Sequence, residues 1–142
     1  MPARGKENSK YQGQKWIRNE RRLAIYLRDG MACVYCGQGI EEGIRLTLDH
    51  LTPHSTSDTP DNTNENLVTA CVSCNSSRGN RPLADFCAAV AGYLNHGITG
   101  SEILAHITAT VAHAVDMTEA KSIIARRGGF SLALAALRQQ QE

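Results

Sequence analysis

A chain of 142 residues with 42% apolar side chains has the size and composition of one globular unit, which excludes a disordered or fibrous protein. The formal net charge of +1 excludes a protein whose total charge alone would drive it onto nucleic acid, and only 5% of the residues are aromatic, so a core must lean on Leu, Ile, Val and Ala. No run approaches the roughly 18–20 consecutive apolar residues of a membrane span, and the N-terminus lacks the apolar stretch of a signal peptide, so a cytoplasmic protein with no membrane partner is expected.

Charge is distributed unevenly along the chain. Arg4, Lys6, Lys10, Lys15, Arg18, Arg21, Arg22 and Arg28 face only Glu7, Glu20 and Asp29, whereas Glu41, Glu42, Asp49, Asp58, Asp61 and Glu65 surround a lone Arg45. A basic beginning suits a phosphate backbone and an acidic middle suits a hard cation. A solvated tail is the plainer alternative for the first of these.

Residues 1–14 are polar, basic and aperiodic, and read as a flexible arm. A short amphipathic helix is predicted from Trp16 to Leu27, with Leu23, Tyr26 and Leu27 on one side, arginines elsewhere and a stop at Gly30. Residues 44–48 alternate as a half-buried strand should, and Leu67 to Ala70 can pair with them across a long polar loop from Thr52 to Glu65 that contains Pro53 and Pro60. Loops of that length inside a compact unit are usually functional.

Beyond Arg81-Pro82 the pattern is helical. Leu83, Phe86, Cys87, Val90, Ala91 and Leu94 recur at helical spacing, with Pro82 in the first turn and Gly97 as the stop. Thr99 to Glu102 reads as a capping box opening a helix through Ile103, Leu104, Ile107, Val111 and Val115. Asp116 to Glu119 repeats that signal for a helix ending near Gly128-Gly129, and residues 130–141 form one more. His96, His106 and His113 have no partners at ligand spacing and are taken as ordinary surface or core residues.

Five cysteines include two tight pairs, Cys33-x-x-Cys36 and Cys71-x-x-Cys74, and in a reducing compartment such pairs hold metal rather than form disulfides. Together they predict a closed, structural four-cysteine Zn²⁺ site. Zinc binding of this kind contributes on the order of 10 kcal/mol to folding, which would offset the thin aromatic core. Cys87 is left as a core thiol.

Near the cysteines stand Asp49-His50, Asn66 and Asn75. The run DHLTPHSTSDTPDNTNENLVTACVSCNSSRGN, from Asp49 to Asn80, together with CVYCG, resembles the HNH endonuclease family in its zinc-knuckle variant. The resemblance spans residues from about Arg21 to Pro82, and by letters the set is H-N-N, because Asn75 stands where many members have the last histidine.

The resemblance implies an α+β fold: a ββα-metal (His-Me finger) nuclease core over residues 15–82, stapled by zinc, followed by a helical extension over residues 83–142 on or beside it. It also implies that His50 is the general base and that Asp49 and Asn75 hold a catalytic divalent ion, for which oxygen donors favour Mg²⁺ or Mn²⁺. Asn66 would bridge the long loop and orient His50. Arg78, three residues after Asn75 on a short helix, either reaches the same phosphate as a further catalytic residue or merely ends the helix before Gly79. The role of His54 is open.

The implied partner is DNA, most simply double-stranded, cut to 5′-phosphate and 3′-hydroxyl ends. The other readings are a non-catalytic zinc module that binds DNA or protein, and a zinc-ribbon scaffold in a phage or replication assembly. Whether the chain pairs as a homodimer through Ile103, Ile107, Val111 and Val115 is left open, with packing in cis as the simpler use of that stripe.

Overall fold

The computed structural model describes residues 17–52 and 61–140. The expected arm at 1–14, Trp16, Pro53, Pro60 and His54 lie outside the described residues. Chain order is α1 (Asn19–Arg28), β1 (Leu46–His50), β2 (Leu67–Cys71), α2 (Val72–Arg78), α3 (Leu83–Leu94), α4 (Gly100–Val111), α5 (Met117–Arg127) and α6 (Phe130–Gln140), with short 3-10 turns at Ile40–Glu42 and Asn64–Asn66. It is a mixed α and β architecture with a two-stranded sheet at its centre.

β1 and β2 are antiparallel, with Leu46 opposite Cys71 and His50 opposite Leu67. The strand therefore runs two residues later than the alternation at 44–48 suggests. Its partner decides this: β2 ends at Cys71, where α2 begins, and Arg45 uses its carbonyl to accept from Val72 N instead.

Every residue of both strands is buried, in place of the half-buried pattern expected. The reason is that both faces of the sheet are covered. Leu46, Leu48 and Leu67 join Leu23, Ile25 and Tyr26 of α1, Ala120 and Ile123 of α5 and Ala133 of α6. Val68 and Ala70 join Val34 and Tyr35, Phe86, Cys87 and Val90 of α3, and Ile103 and Ile107 of α4. Residues beyond 82 thus contribute to both layers of core.

Helix boundaries follow their caps. Thr99 N donates to Glu102 Oε1 at 2.8 Å and Glu102 N to Thr99 Oγ1 at 3.1 Å, so the capping box that opens α4 has both its halves. Asp116 Oδ1 accepts from Glu119 N at 2.9 Å and opens α5. α3 stops at Asn95, in the left-handed region at φ 54°, before Gly97 is reached. α4 ends at Val111, so Val115 lies in the connection to α5 instead of on the helix. Gly100 is required by packing: a Cβ there would stand 2.7 Å from Ala88 Cα, and glycine lets the start of α4 cross closely over α3.

The arginines placed away from the apolar side of α1 are largely enclosed. Arg22 is buried, and Arg28 forms an ion pair with Asp29 in which Arg28 Nε lies 2.7 Å from Asp29 Oδ1 and both side chains are essentially inaccessible. The pair is satisfied by the backbone around it: Arg28 donates to Asn64 O at 2.8 Å and Leu67 O at 2.6 Å, and Asp29 Oδ2 accepts from Thr69 N at 2.7 Å. Arg21 donates from Nε to Asn64 Oδ1 at 2.7 Å and from Nη2 to the Asn62 carbonyl. These cations hold the loop that enters β2; of the basic residues in the described part of this region, only Arg18 is fully open to solvent.

Candidate functional site

A tight turn and a strand-to-helix junction build the cysteine cluster. In the first, Cys33 N donates to Gln38 O at 2.9 Å and Gly37 N to Cys33 O at 2.9 Å, while Val34 N donates to Thr69 O at 3.0 Å and ties the turn to β2. The second is the junction of β2 with α2, where Cys71 is the N-cap residue and its sulfur accepts from Cys74 N at 3.3 Å. The four sulfurs lie within 4.8 Å of one another, and Cys36 Sγ is 3.9 Å from Cys71 Sγ. A tetrahedral zinc ion with Zn–S bonds of ~2.3 Å requires sulfurs about 3.8 Å apart, so the cluster fits the ion. The same spacing is nearly twice a disulfide bond of about 2.05 Å.

Sulfurs this close perturb one another. Contact with the Cys33 thiol brings Cys36 down to about 7 and lowers Cys71 further, while Cys33 is pushed up chiefly by Cys36, and Cys74 chiefly by Cys33. Four thiols that cannot lose their protons independently are the donor set that a divalent ion resolves by binding all as thiolates. Cys87 stands apart, fully buried, with its thiol raised by that burial. His96, His106 and His113 are all exposed.

The second cluster lies at the end of β1. In a strand, Thr47 and Asp49 share one face while Leu48 and His50 share the other. The contacts follow that parity. Asp49 Oδ2 accepts from Tyr35 Oη at 2.7 Å and from Arg78 Nη1 at 3.1 Å, against the knuckle and α2. His50 Nε2 is 2.7 Å from Asn62 Oδ1, in the loop that leads to β2. Both side-chain hydrogen bonds that Asp49 makes among the described residues fall on Oδ2, which leaves its orientation fixed and Oδ1 as the oxygen for any further ligand.

Asn75 is placed by α2 against the strand. Its Nδ2 donates to Thr47 Oγ1 at 2.8 Å and to Leu48 O at 3.1 Å, so the amide nitrogen faces two acceptors and the side-chain carbonyl is the other end. Asn75 therefore packs against the peptide immediately before Asp49.

Asn66 links Thr52 to Asp61. It accepts from Thr52 N at 2.9 Å and donates to Asp61 O at 2.8 Å, while its own carbonyl accepts from Leu51 N at 2.8 Å. The His50 ring contacts Asn62 among the described residues. Next to it, Asp61 caps the turn by accepting from the Thr63 hydroxyl at 2.8 Å and the Thr63 N–H at 3.0 Å, and these bonds, the hydroxyl first, hold its carboxyl below the usual range.

Arg78 is fully buried. Its Nε donates to Arg81 O at 3.0 Å, Nη1 reaches His50 O at 2.8 Å and Tyr35 Oη at 3.2 Å besides Asp49, and Nη2 donates to Leu51 O at 2.7 Å. A guanidinium spent on these groups does not face outward; it clamps the end of β1. The chain then leaves through Gly79, whose φ of +53° with ψ of −123° is a conformation suited to glycine.

Tyr35, Asn62 and Thr47 were not singled out by sequence reasoning. Tyr35 carried the clearest signal, an aromatic residue between the two cysteines of a tight pair in an aromatic-poor chain. Burial, and then the Asp49 carboxylate, push its phenol far above the ordinary range, so it serves as a donor.

Comparison with known proteins bears on the same region. Residues 33–81 match the family model described as HNH endonuclease. A 57-residue stretch is 40% identical to the CRISPR-associated endonuclease Cas9 of Corynebacterium diphtheriae, covering 40% of this chain and 5% of that protein. Among solved structures, the Type II-C Cas9 enzyme from Actinomyces naeslundii aligns with a TM-score of 0.44 and 22% identity, over 80% of this chain and 13% of that one. The chain thus spans only a small part of the length of either relative.

Proposed function

We propose, on the premise that this chain carries an HNH endonuclease domain across residues 33–81, that it hydrolyses phosphodiester bonds of DNA from a ββα-metal site at the end of β1. His50 would take the proton from the attacking water, a task suited to the one side chain that exchanges protons near neutrality. Asp49 through Oδ1 and Asn75 through its side-chain oxygen would hold Mg²⁺ or Mn²⁺. That ion, when bound, supplies a positive charge where negative charge develops on the phosphate.

The observation that supports this reading is the meeting of the Asp49, Asn75 and Arg78 side chains at the end of β1, with the His50 ring next in the chain on the other face of the strand. Asn75 sits on the peptide before Asp49, and Arg78 binds the Asp49 carboxylate and the His50 carbonyl with a single nitrogen. In this reading Arg78 and Asn66 are positioning residues: the first fixes Asp49, the second closes the loop that carries Asn62 to His50. The four cysteines hold a structural zinc ion with no open position for substrate.

Supercoiled plasmid incubated with Mg²⁺ or Mn²⁺ tests the proposal. The native chain is expected to nick or linearise it, and His50→Ala to lose about 10²–10⁴-fold in rate while keeping its zinc. Equal cleavage by both proteins would refute the assignment of the base.

A further inference from the structure

We infer that Tyr35 is a positioning residue that sets the affinity of the divalent-ion site by orienting Asp49; the inference rests on the reading of Asp49 as a metal ligand.

Tyr35 sits inside the zinc knuckle, one residue before Cys36, and is 2% exposed. Its ring is fixed independently of its hydroxyl, by an edge contact with Phe86 at 4.9 Å between centroids and 78° between planes. The backbone beside it is fixed as well, through Val34 N to Thr69 O at 3.0 Å. From this rigid seat the hydroxyl donates to Asp49 Oδ2 at 2.7 Å while accepting from Arg78 Nη1 at 3.2 Å.

A hydroxyl has one proton, and here its direction is forced. Arg78 can only donate, so the Tyr35 proton goes to the carboxylate. Asp49 Oδ2 then has two donors that approach from different elements, the knuckle and α2, and rotation of the carboxylate would break both bonds. The other oxygen is thereby presented in one direction before any ion arrives. Pre-orientation of a ligand lowers the ordering cost of binding and appears as affinity.

Without the hydroxyl, Arg78 alone would hold Oδ2. The carboxylate would be free to turn about that single donor and offer both oxygens to the guanidinium, in the two-pronged geometry that arginine and carboxylate favour. That arrangement competes with the ion for Oδ1. The zinc knuckle thus acts on the second metal site through one side chain, in addition to its part in folding.

The test uses the zinc-loaded full chain. Tyr35→Phe keeps the ring and its contact with Phe86. Binding of Mn²⁺ is measured directly by electron paramagnetic resonance of the free ion, alongside zinc content and the midpoint of thermal unfolding, and cleavage is measured as a function of Mn²⁺ concentration. Tyr35→Phe is expected to weaken Mn²⁺ binding about 3- to 10-fold, the range that loss of one hydrogen bond gives. It should raise the concentration for half-maximal cleavage by the same factor, with added Mn²⁺ restoring the rate and zinc content at the native level.

Native Mn²⁺ affinity in Tyr35→Phe would overturn the inference. So would loss of zinc in parallel with loss of Mn²⁺, since the hydroxyl would then serve the knuckle itself. Asp49→Ala separates this failure from that of the underlying reading: if it binds Mn²⁺ as the native chain does, Asp49 is not a ligand and the proposed ion site falls with it.

Discussion

Replacement of Arg78 by Met offers the sharpest test of how this site is held. Arg78 has an inaccessible side chain, and the Asp49 side chain paired with it is only 9% exposed. Removing the guanidinium leaves that carboxylate with one donor, Tyr35, and takes a donor from the carbonyls of His50, Leu51 and Arg81. Breaking a buried ion pair by deleting one partner costs about 3–5 kcal/mol. The unfolding entropy of a chain this size is roughly 0.3 kcal/mol per degree, so the thermal midpoint should fall by roughly 10–17 °C. Thermal unfolding followed by circular dichroism on zinc-loaded protein reads this directly. The double variant Arg78→Met with Asp49→Asn should recover part of the loss, because the stranded charge is gone. An unchanged midpoint combined with weakened DNA binding would refute the argument and return Arg78 to the phosphate contact that its position three residues after Asn75 suggests.

Two further substitutions probe the supports on either side of the strand end. Cys36→Ser removes a thiolate from a cluster whose sulfurs all lie within 4.8 Å, and metal analysis should find less than one zinc per chain together with a lower thermal midpoint; full zinc stoichiometry would count against the staple. Asn66→Ala leaves Thr52 N and Asp61 O without the side chain that joins them, and should cost about 1–3 kcal/mol in denaturant unfolding and lower plasmid cleavage by slackening the loop that bears Asn62. Native cleavage by that variant would mean that Asn62 holds His50 without help from Asn66.

How far the sequence could be read depends on whether the governing interaction is local. Thr99 and Glu102 are three residues apart and bond each other, so the start of α4 was visible in the letters. The cysteine pairs are likewise local, and only the meeting of the two pairs needed the fold. The ends of β1 were not legible, because they are set by where β2 gives way to α2, more than twenty residues away in the chain. The burial of the α1 arginines was not legible for a similar reason. Charge is solvated by default, and what permits Arg28 to be buried is Asp29 beside it together with Asn64 and Leu67, which lie in a distant loop and strand. Arg78 follows the same logic: apart from the nearby Arg81 carbonyl, its partners are Tyr35, Asp49, His50 and Leu51, remote in sequence and assembled only when the strand, knuckle and helix meet.

The short helix α2 explains why the two clusters cannot be treated as separate parts. Seven residues are too few to form a stable helix in isolation, where nucleation outweighs the few bonds gained. This one is held at its first turn by Cys71 and Cys74, and at its last by the hydrogen bonds of Arg78. Asn75 lies between those anchors, directly after a cysteine of the cluster. Its contact with Thr47 and Leu48 depends on both ends being fixed, since release of either lets the helix fray past the residue. In the proposed mechanism an oxygen ligand of the divalent ion is therefore mounted on an element that a bound zinc would stabilise. Tyr35 gives Asp49, the other ligand in that proposal, a link to the same knuckle. Loss of zinc should consequently reach the reaction site by two routes, through α2 and through Tyr35.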